Sequence, residues 1–113
     1  MAGNEGRTPG ITRADLQRED LSVAGREVVQ SRVQIEPGAR AVRHTHPGEE
    51  IIYVLEGSLE YQIGDDPPRT YRAGEALTIP AGAAHSVHNV GTGNAAELAT
   101  YVVEKGKPLL AAL

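Results

Sequence analysis

Two histidines and a glutamate lie close together in the chain, at a spacing that suits a metal ion. His44 and His46 are two residues apart, and Glu50 follows four residues after the second histidine. In an extended segment, side chains alternate between the two faces, so both imidazoles would point the same way, with their Cα atoms about 6.5 Å apart. Pro47-Gly48 predicts a turn that brings Glu50 back at the start of an apolar strand. Two neutral nitrogens and one carboxylate oxygen favour a borderline divalent ion.

A second segment supplies a third histidine. Pro80 and Gly82 predict a tight turn that delivers His85 to the start of another strand. In that strand His85 and Val87 share one face, whereas His88 lies on the other. His85 is therefore the expected third imidazole, and His88 is expected to point away from the site.

Together these two segments resemble the two sequence motifs of the cupin superfamily. The first runs from Gly38 to Gly57 and the second from Gly74 to Asn89, and every spaced position of both motifs is filled: Gly38, His44, His46, Glu50 and Gly57, then Gly74, Pro80, Gly82, His85 and Asn89. The sequence looks like a small single-domain cupin of the bacterial kind, with a short loop between the motifs.

The resemblance implies an all-β fold, namely an antiparallel jelly-roll β-barrel, which is also called a double-stranded β-helix. It implies one divalent metal ion per chain, and usually a dimer. The metal ligands that it carries over are His44, His46, Glu50 and His85. It does not imply one reaction, because fold does not fix function. Iron, manganese, nickel and zinc are all compatible, with iron or manganese favoured by function.

Composition narrows the classes of function further. The 113 residues indicate one domain. The absence of Cys excludes disulfides, thiolate zinc sites and iron–sulfur clusters. A formal charge of −4 without a basic cluster argues against nucleic acid as a partner, and no apolar run is long enough to span a membrane. The first residues lack the apolar stretch of a signal peptide, which favours the cytoplasm, although an exported protein whose leader had been removed would look the same.

The order of patterns along the chain predicts the elements around the motifs. Residues 1–10 are expected to form a disordered arm and residues 11–113 a single cupin domain. Thr12 to Asp15 resembles a capping box, which predicts either one helical turn through Leu16 or an irregular arm over the barrel. From Arg26 to Glu36, polar and apolar residues alternate as in a half-buried strand, with Val29, Ser31, Val33 and Ile35 on one face.

The strand that starts at Glu50 is apolar on both faces. Ile52 and Val54 share the face of Glu50, and Ile51, Tyr53 and Leu55 form the opposite face. A strand of this kind is usually buried on both sides. The outer face therefore needs a cover, from the N-terminal arm or from a second subunit. The C-terminal Leu109, Leu110 and Leu113 need cover as well, so we expect a homodimer.

Two hypotheses for function follow. The first is a metal-dependent enzyme, dioxygenase-like or isomerase-like, that binds a small organic molecule in the barrel. In it, Glu50 would stay a ligand or act as a catalytic base. An aliphatic cavity would favour an apolar or aromatic substrate; its expected walls are Val33, Ile35, Ile52, Val54 and Val87. The second hypothesis is a non-catalytic module that binds or senses a metal or small ligand.

Residues outside the motifs offer little further chemistry at the level of sequence. No acid, base or nucleophile stands out besides the metal site. Tyr53 and Tyr101 are interpreted as packing residues. Arg40 shares strand parity with His44, so it is interpreted either as a solvated arginine at the rim or as a partner for an anionic substrate.

Overall fold

The structure is a computed structural model that describes residues 9–112. This part of the chain contains ten β-strands and no helix. The strands are β1 (Ile11–Asp20), β2 (Arg26–Ile35), β3 (His44–Thr45), β4 (Gly48–Glu56), β5 (Ser58–Ile63), β6 (Arg69–Arg72), β7 (Ala76–Ile79), β8 (His85–Asn89), β9 (Ala95–Glu104) and β10 (Ala111–Ala112). No helix among these residues could therefore cross a membrane.

The strands form two five-stranded antiparallel sheets. One has the order β1-β2-β9-β4-β7 and the other the order β10-β3-β8-β5-β6. Strands that are distant in sequence lie side by side, such as β2 against β9 and β3 against β8. The two sheets pack face to face in a jelly-roll barrel, the arrangement by which antiparallel proteins enclose a core between two sheets. The prediction of an all-β antiparallel jelly roll is confirmed.

Alternating sequence patterns determine which side chains enter the barrel. On β2, the predicted inward face is buried as expected (Val29, Ser31, Val33 and Ile35). On β4, Ile52 is 1% exposed and Val54 is fully buried. On β5, Leu59 and Tyr61 face inward, so Glu60 and Gln62 face outward. A mainly aliphatic core results from this alternation.

The outer face of β4 remains uncovered. Ile51, Tyr53 and Leu55 are 45%, 46% and 38% exposed. Within residues 9–112, no segment lies over these three side chains. The N-terminal strand β1 lies at the edge of the same sheet, separated from β4 by β2 and β9. Of the two covers considered for this face, the N-terminal arm provides none within residues 9–112, and a second subunit stays a prediction.

The N-terminal segment forms neither a helical turn nor an irregular arm, so both expectations for it are wrong. Residues 11–20 pair with β2 from Ile11 opposite Ile35 to Asp20 opposite Glu27, with a register shift between Asp15 and Gln17. The free edge of β2 supplies hydrogen-bond partners that a single helical turn cannot match. The predicted disorder of residues 1–10 lies outside the described residues, apart from Pro9 and Gly10, which form a turn.

The C-terminal segment folds back onto its own chain. Ala111 and Ala112 pair with Thr45 and His44. Leu109 packs against the core cluster formed by Val29, Ala99, Tyr101 and Val103. Leu110 lines the cavity described below. Leu109 and Leu110 therefore have contacts within their own chain but stay half-buried, and cover from a partner stays a prediction. Leu113 lies outside the described residues.

Gly48 provides a test of how closely β4 and β9 pack. A Cβ atom at this position would lie 1.9 Å from the carbonyl oxygen of Val102, which is backbone and cannot move aside. We expect Gly48→Ala to lower the free energy of unfolding by about 1–3 kcal/mol, the usual cost of overpacking. The matched control is Gly93→Ala, because Gly93 has open space around it. Urea denaturation of both variants measures the difference, and equal stabilities would contradict the described pairing.

Candidate metal centre

The four predicted site residues converge at one place inside the barrel. His44 belongs to β3 and pairs with His85, the first residue of β8. Glu50 on β4 lies opposite Tyr101 on β9. The candidate ligand nitrogens of His44, His46 and His85 all lie within 4.8 Å of one another. All four side chains are buried, and none is more than 8% exposed.

Backbone carbonyl groups fix the orientation of all three imidazoles. Nδ1 of His44 lies 2.6 Å from the carbonyl oxygen of Val42, and Nδ1 of His85 lies 2.9 Å from that of Ala83. Nδ1 of His46 lies 2.7 Å from the carbonyl oxygen of Leu109. A carbonyl oxygen can only accept, so each Nδ1 must carry the proton. In a neutral ring, Nε2 then carries a lone pair, which is the form that binds a metal.

Glu50 faces two of these rings. Its Oε1 lies 3.2 Å from Nε2 of His46 and 3.1 Å from Nε2 of His85. These three atoms are sealed from solvent and have no hydrogen-bond partner of suitable geometry. Burial raises the pKa of the Glu50 carboxyl. When Nε2 of His46 and His85 also carries a proton, the hydrogen bonds and charges of the two rings outweigh burial and lower that pKa to about 2. Burial is the main cause that lowers the pKa of His44 to about 4.

These contacts fit a cation at the centre. With Nδ1 protonated, an imidazole lone pair and a carboxylate oxygen face each other at little more than 3 Å, and two acceptors repel at that distance. A proton or a metal ion between them removes the repulsion. Three imidazole nitrogens and one carboxylate oxygen, without thiolate, suit divalent iron, manganese, nickel or zinc.

A cavity of about 720 Å³ extends from these residues through the barrel. Apolar side chains form much of its wall, including Val33, Ile35, Ile52 and Val87 as predicted. The prediction that Val54 is a fifth wall residue is wrong. This side chain is buried in the core and does not line the cavity. The cavity reaches the surface beside Val42, which is 58% exposed.

Arg13 and Tyr101 form part of the cavity, and the sequence interpretation missed both roles. Nη1 of Arg13 donates a 3.3 Å hydrogen bond to the hydroxyl of Tyr101, and the guanidinium lies 5.1 Å from the centre of that ring. The Tyr101 ring in turn packs edge-on against His46, with 4.7 Å between ring centres. Arg13 was missed because β1 was not predicted as a strand.

Glu97 is a second buried carboxyl group, which did not stand out in the sequence. It lines the cavity, is 4% exposed, and accepts a 2.5 Å hydrogen bond from the hydroxyl of Tyr61. Burial raises the pKa of Glu97 to about 8, and the charge of Glu50 contributes to the increase. The sequence held a usable signal, because Glu97 shares strand parity with Tyr101.

His88 and Arg40 lie away from the centre. Nη2 of Arg40 is 3.2 Å from Nδ1 of His88, and Arg40 is exposed. Neither residue lines the cavity. Tyr53, interpreted as a packing residue, lies on the exposed outer face of β4.

Comparison with known proteins agrees with this geometry. Residues 31–106 match the cupin domain family. Germin-like protein 1-1 of Oryza sativa subsp. japonica is 38% identical over 107 residues, which cover 88% of this chain and 49% of that protein. This chain thus spans about half the length of that curated relative.

Two solved structures resemble the fold closely. Oxalate oxidase in complex with the substrate analogue glycolate has a TM-score of 0.73 and 27% identity, over 92% of this chain and 55% of the other. The polyketide cyclase RemF from Streptomyces resistomycificus has a TM-score of 0.73 and 26% identity, over 94% of this chain and 72% of the other.

Glu97 should make stability depend on pH. Its pKa is raised from 4.5 to about 8 in the folded chain, so its contribution is fully present below pH 4.5 and is lost as pH rises through about 8. Wild type should therefore lose stability relative to Glu97→Gln across this range. The charged and titratable groups around Glu97 are Tyr61, Glu50, Arg13 and Tyr101, and both proteins contain all of them.

Urea denaturation at several pH values measures this difference in the free energy of unfolding. Glu60→Gln is the matched control, since Glu60 lies on the outward face of β5. A pH-independent difference between wild type and Glu97→Gln would contradict a buried neutral acid.

Proposed function

We propose that this chain, which belongs to the cupin family, is a metal-dependent enzyme that acts on a small organic molecule bound inside its barrel. The proposed ligands of the ion are Nε2 of His44, His46 and His85 and a carboxylate oxygen of Glu50. The observation that carries the proposal is the convergence of these buried groups at a cavity that opens to solvent. A sealed cavity would have favoured a non-catalytic module instead.

The chain's own residues give this site its properties. The carbonyl groups of Val42, Ala83 and Leu109 hold each ring in the tautomer with Nε2 free. A divalent ion at the centre would stabilise the charged form of the buried Glu50 carboxylate. Three neutral imidazoles and one carboxylate would leave a net charge of about +1 with a divalent ion, which favours an oxygen atom of the substrate as a further ligand.

His44, His46, His85 and Glu50 would hold the ion with four protein donors, so it could also bind an oxygen atom of a substrate. When bound, such an ion polarises a carbonyl or enolate oxygen, and iron or manganese adds redox chemistry. The apolar walls exclude water from the substrate, and Glu50 is placed to accept a proton as a catalytic base. The resemblance to oxalate oxidase favours an oxidoreductase, for which iron and manganese are the ions to test first.

Assembly is a separate proposal. Exposed together, Ile51, Tyr53 and Leu55 make an apolar patch of the kind that soluble monomers tend to avoid. We propose a two-fold homodimer that buries this face, the commonest symmetric arrangement.

Metal content tests the ligand assignment. We expect His46→Ala and His85→Ala to weaken zinc affinity by more than about 100-fold, because loss of even an outer-shell partner costs roughly 10–100-fold. His88→Ala is the matched control and should keep wild-type affinity, because His88 lies outside the centre. Elemental analysis after dialysis against zinc measures the stoichiometry. Unchanged zinc content in the His46 and His85 variants would refute the assignment.

Reconstitution tests whether the site turns over a substrate. Metal-free protein is loaded separately with iron, manganese and zinc, and oxygen uptake is followed with small phenols, diketones, oxalate and glycolate. We expect uptake with iron or manganese and none with Glu50→Ala, because Glu50 is both a proposed ligand and the proposed base. Activity with zinc alone would contradict the oxidoreductase. Binding without turnover in every form would support a non-catalytic module.

Light scattering tests the dimer. Wild type should have the mass of a dimer at micromolar concentration, and Tyr53→Glu should dissociate or aggregate because it places a charge in the buried patch. Thr92→Glu is the control, because Thr92 is exposed in the loop between β8 and β9. A monomeric wild type would show that the outer face of β4 needs no partner.

A further inference from the structure

Arg13 is the one arginine or lysine among the described residues that line the cavity. It lies opposite Val33 in the pairing of β1 with β2, and Val33 belongs to the wall of the cavity. The Arg13 side chain is 33% exposed, so its guanidinium group reaches solvent as well as the cavity. An arginine stays charged in proteins. The cavity therefore carries a permanent positive charge where it meets solvent.

Tyr101 connects this charge to the metal centre. Nη1 of Arg13 donates a hydrogen bond to the Tyr101 hydroxyl, and the guanidinium carbon lies 5.1 Å from the centre of the Tyr101 ring. The centre of the same ring lies 4.7 Å from the centre of the His46 ring. One aromatic ring thus separates the guanidinium group from a proposed metal ligand. Arg13 and the proposed ion are close enough for one small molecule to contact both.

The positive charge of Arg13 is only weakly neutralised by the protein. Among residues 9–112, neither Glu50 nor Glu97 forms an ion pair with it. Its partner is Asp15, whose Oδ1 lies 3.2 Å from Nε of Arg13 and whose side chain is 75% exposed. Ion pairs with such exposed groups contribute little, because water screens them. The guanidinium charge is therefore available to an anion that enters the cavity.

Hydrogen-bond donors remain on both Arg13 and Tyr101. A guanidinium group has five N–H donors, and Arg13 uses one for Asp15 and one for Tyr101. The other three have no acceptor within the described chain. The Tyr101 hydroxyl accepts from Arg13 and donates to no group in residues 9–112, so its O–H remains as well. Burial raises the pKa of Tyr101, which keeps this proton in place.

We propose that the substrate is a small organic acid whose carboxylate group is bound by Arg13 and the Tyr101 hydroxyl, while another of its oxygen atoms reaches the metal ion. This inference rests on the proposed function for the metal end. The planar fork of a guanidinium group matches the two oxygens of a carboxylate. An uncharged molecule of the same shape offers these donors no charged acceptor. Arg13 therefore selects acids over their amides.

Two pairs of matched compounds test this selection. One pair is 4-hydroxybenzoate and 4-hydroxybenzamide, and the other is 4-hydroxyphenylacetate and 4-hydroxyphenylacetamide, so each acid has an uncharged amide of nearly the same shape. Calorimetric titration at neutral pH measures their affinities for the full chain, both zinc-loaded and zinc-free. In wild type at least one acid should bind about 10-fold more tightly than its amide, or better, the factor that corresponds to one hydrogen bond to a charged group.

Substitutions assign the preference to the two residues. Arg13→Gln should abolish it, and Arg13→Lys should retain part of it, because lysine keeps the charge but not the fork. Tyr101→Phe should weaken binding of the acid while it keeps the ring beside His46. Arg18→Gln is the matched control and should equal wild type, because Arg18 also lies on β1 but pairs with Glu27 and does not line the cavity.

Three results would overturn the inference. One is a preference for the acid that persists in Arg13→Gln, because the ion or another group would then bind the carboxylate. The others are equal affinities of acid and amide in wild type, and no binding of any of the four compounds. Failure of zinc to bind would refute the proposed function alone, since the preference for the acid is also measured without zinc.

Nuclear magnetic resonance of the arginine side chains tests the contact in wild type itself, even if Arg13→Gln fails to fold. The Nε–H signal of Arg13 is identified by its absence from Arg13→Lys. It should shift when the acid is added and stay in place with the amide. A signal that does not move at a saturating concentration of the acid would contradict the proposed contact.

Discussion

The repulsion between two kinds of acceptor at the centre of the barrel is the constraint on which the site depends. Backbone carbonyl oxygens accept hydrogen bonds from Nδ1 of His44, His46 and His85. The lone pair of each neutral ring is therefore on Nε2, which points inward. Glu50 places a carboxylate oxygen 3.1–3.2 Å from two of these lone pairs. Such an arrangement is stable only with a cation inside it, and a metal ion can replace the protons that would otherwise be needed.

Several distant parts of the chain maintain this arrangement. Pairing of β3 with β8 brings His44 beside His85, and pairing of β4 with β9 brings Glu50 beside Tyr101. The C-terminal segment contributes as well, because the carbonyl of Leu109 orients His46. Strand β10 holds that segment against β3. The C-terminal segment therefore helps to line and to support the site of its own chain.

Much of the site could be predicted from sequence because its ligands are local. His44, His46 and Glu50 lie within one hairpin-sized segment, and alternation along a strand determines which of them share a face. His85 could be placed because Pro80 and Gly82 define the turn before it. The same alternation predicted the buried faces of β2 and β4.

What could not be predicted depends on partners distant in sequence. Strand β1 has no alternating pattern, since nearly all of its side chains are exposed, and only the free edge of β2 makes it a strand. Arg13 therefore could not be assigned to the cavity. The hydrogen bond from Tyr61 to Glu97 joins two residues that are 36 positions apart in the sequence. Alternation along each strand does not reveal such a contact.

The same cavity holds a second buried carboxyl group, that of Glu97. Its pKa is raised by burial and by the charge of Glu50. Apolar side chains form much of the wall around these polar groups, and polar contacts are stronger in such surroundings than in water.

X-ray absorption spectroscopy of the zinc-loaded chain tests the central claim most directly. The account predicts three imidazole nitrogens and at least one oxygen at about 2.0–2.2 Å from the ion. It also predicts the loss of one imidazole in any His44→Ala, His46→Ala or His85→Ala protein that still retains zinc. Two or fewer imidazoles around zinc in wild type, or an unchanged spectrum in the variants, would contradict it.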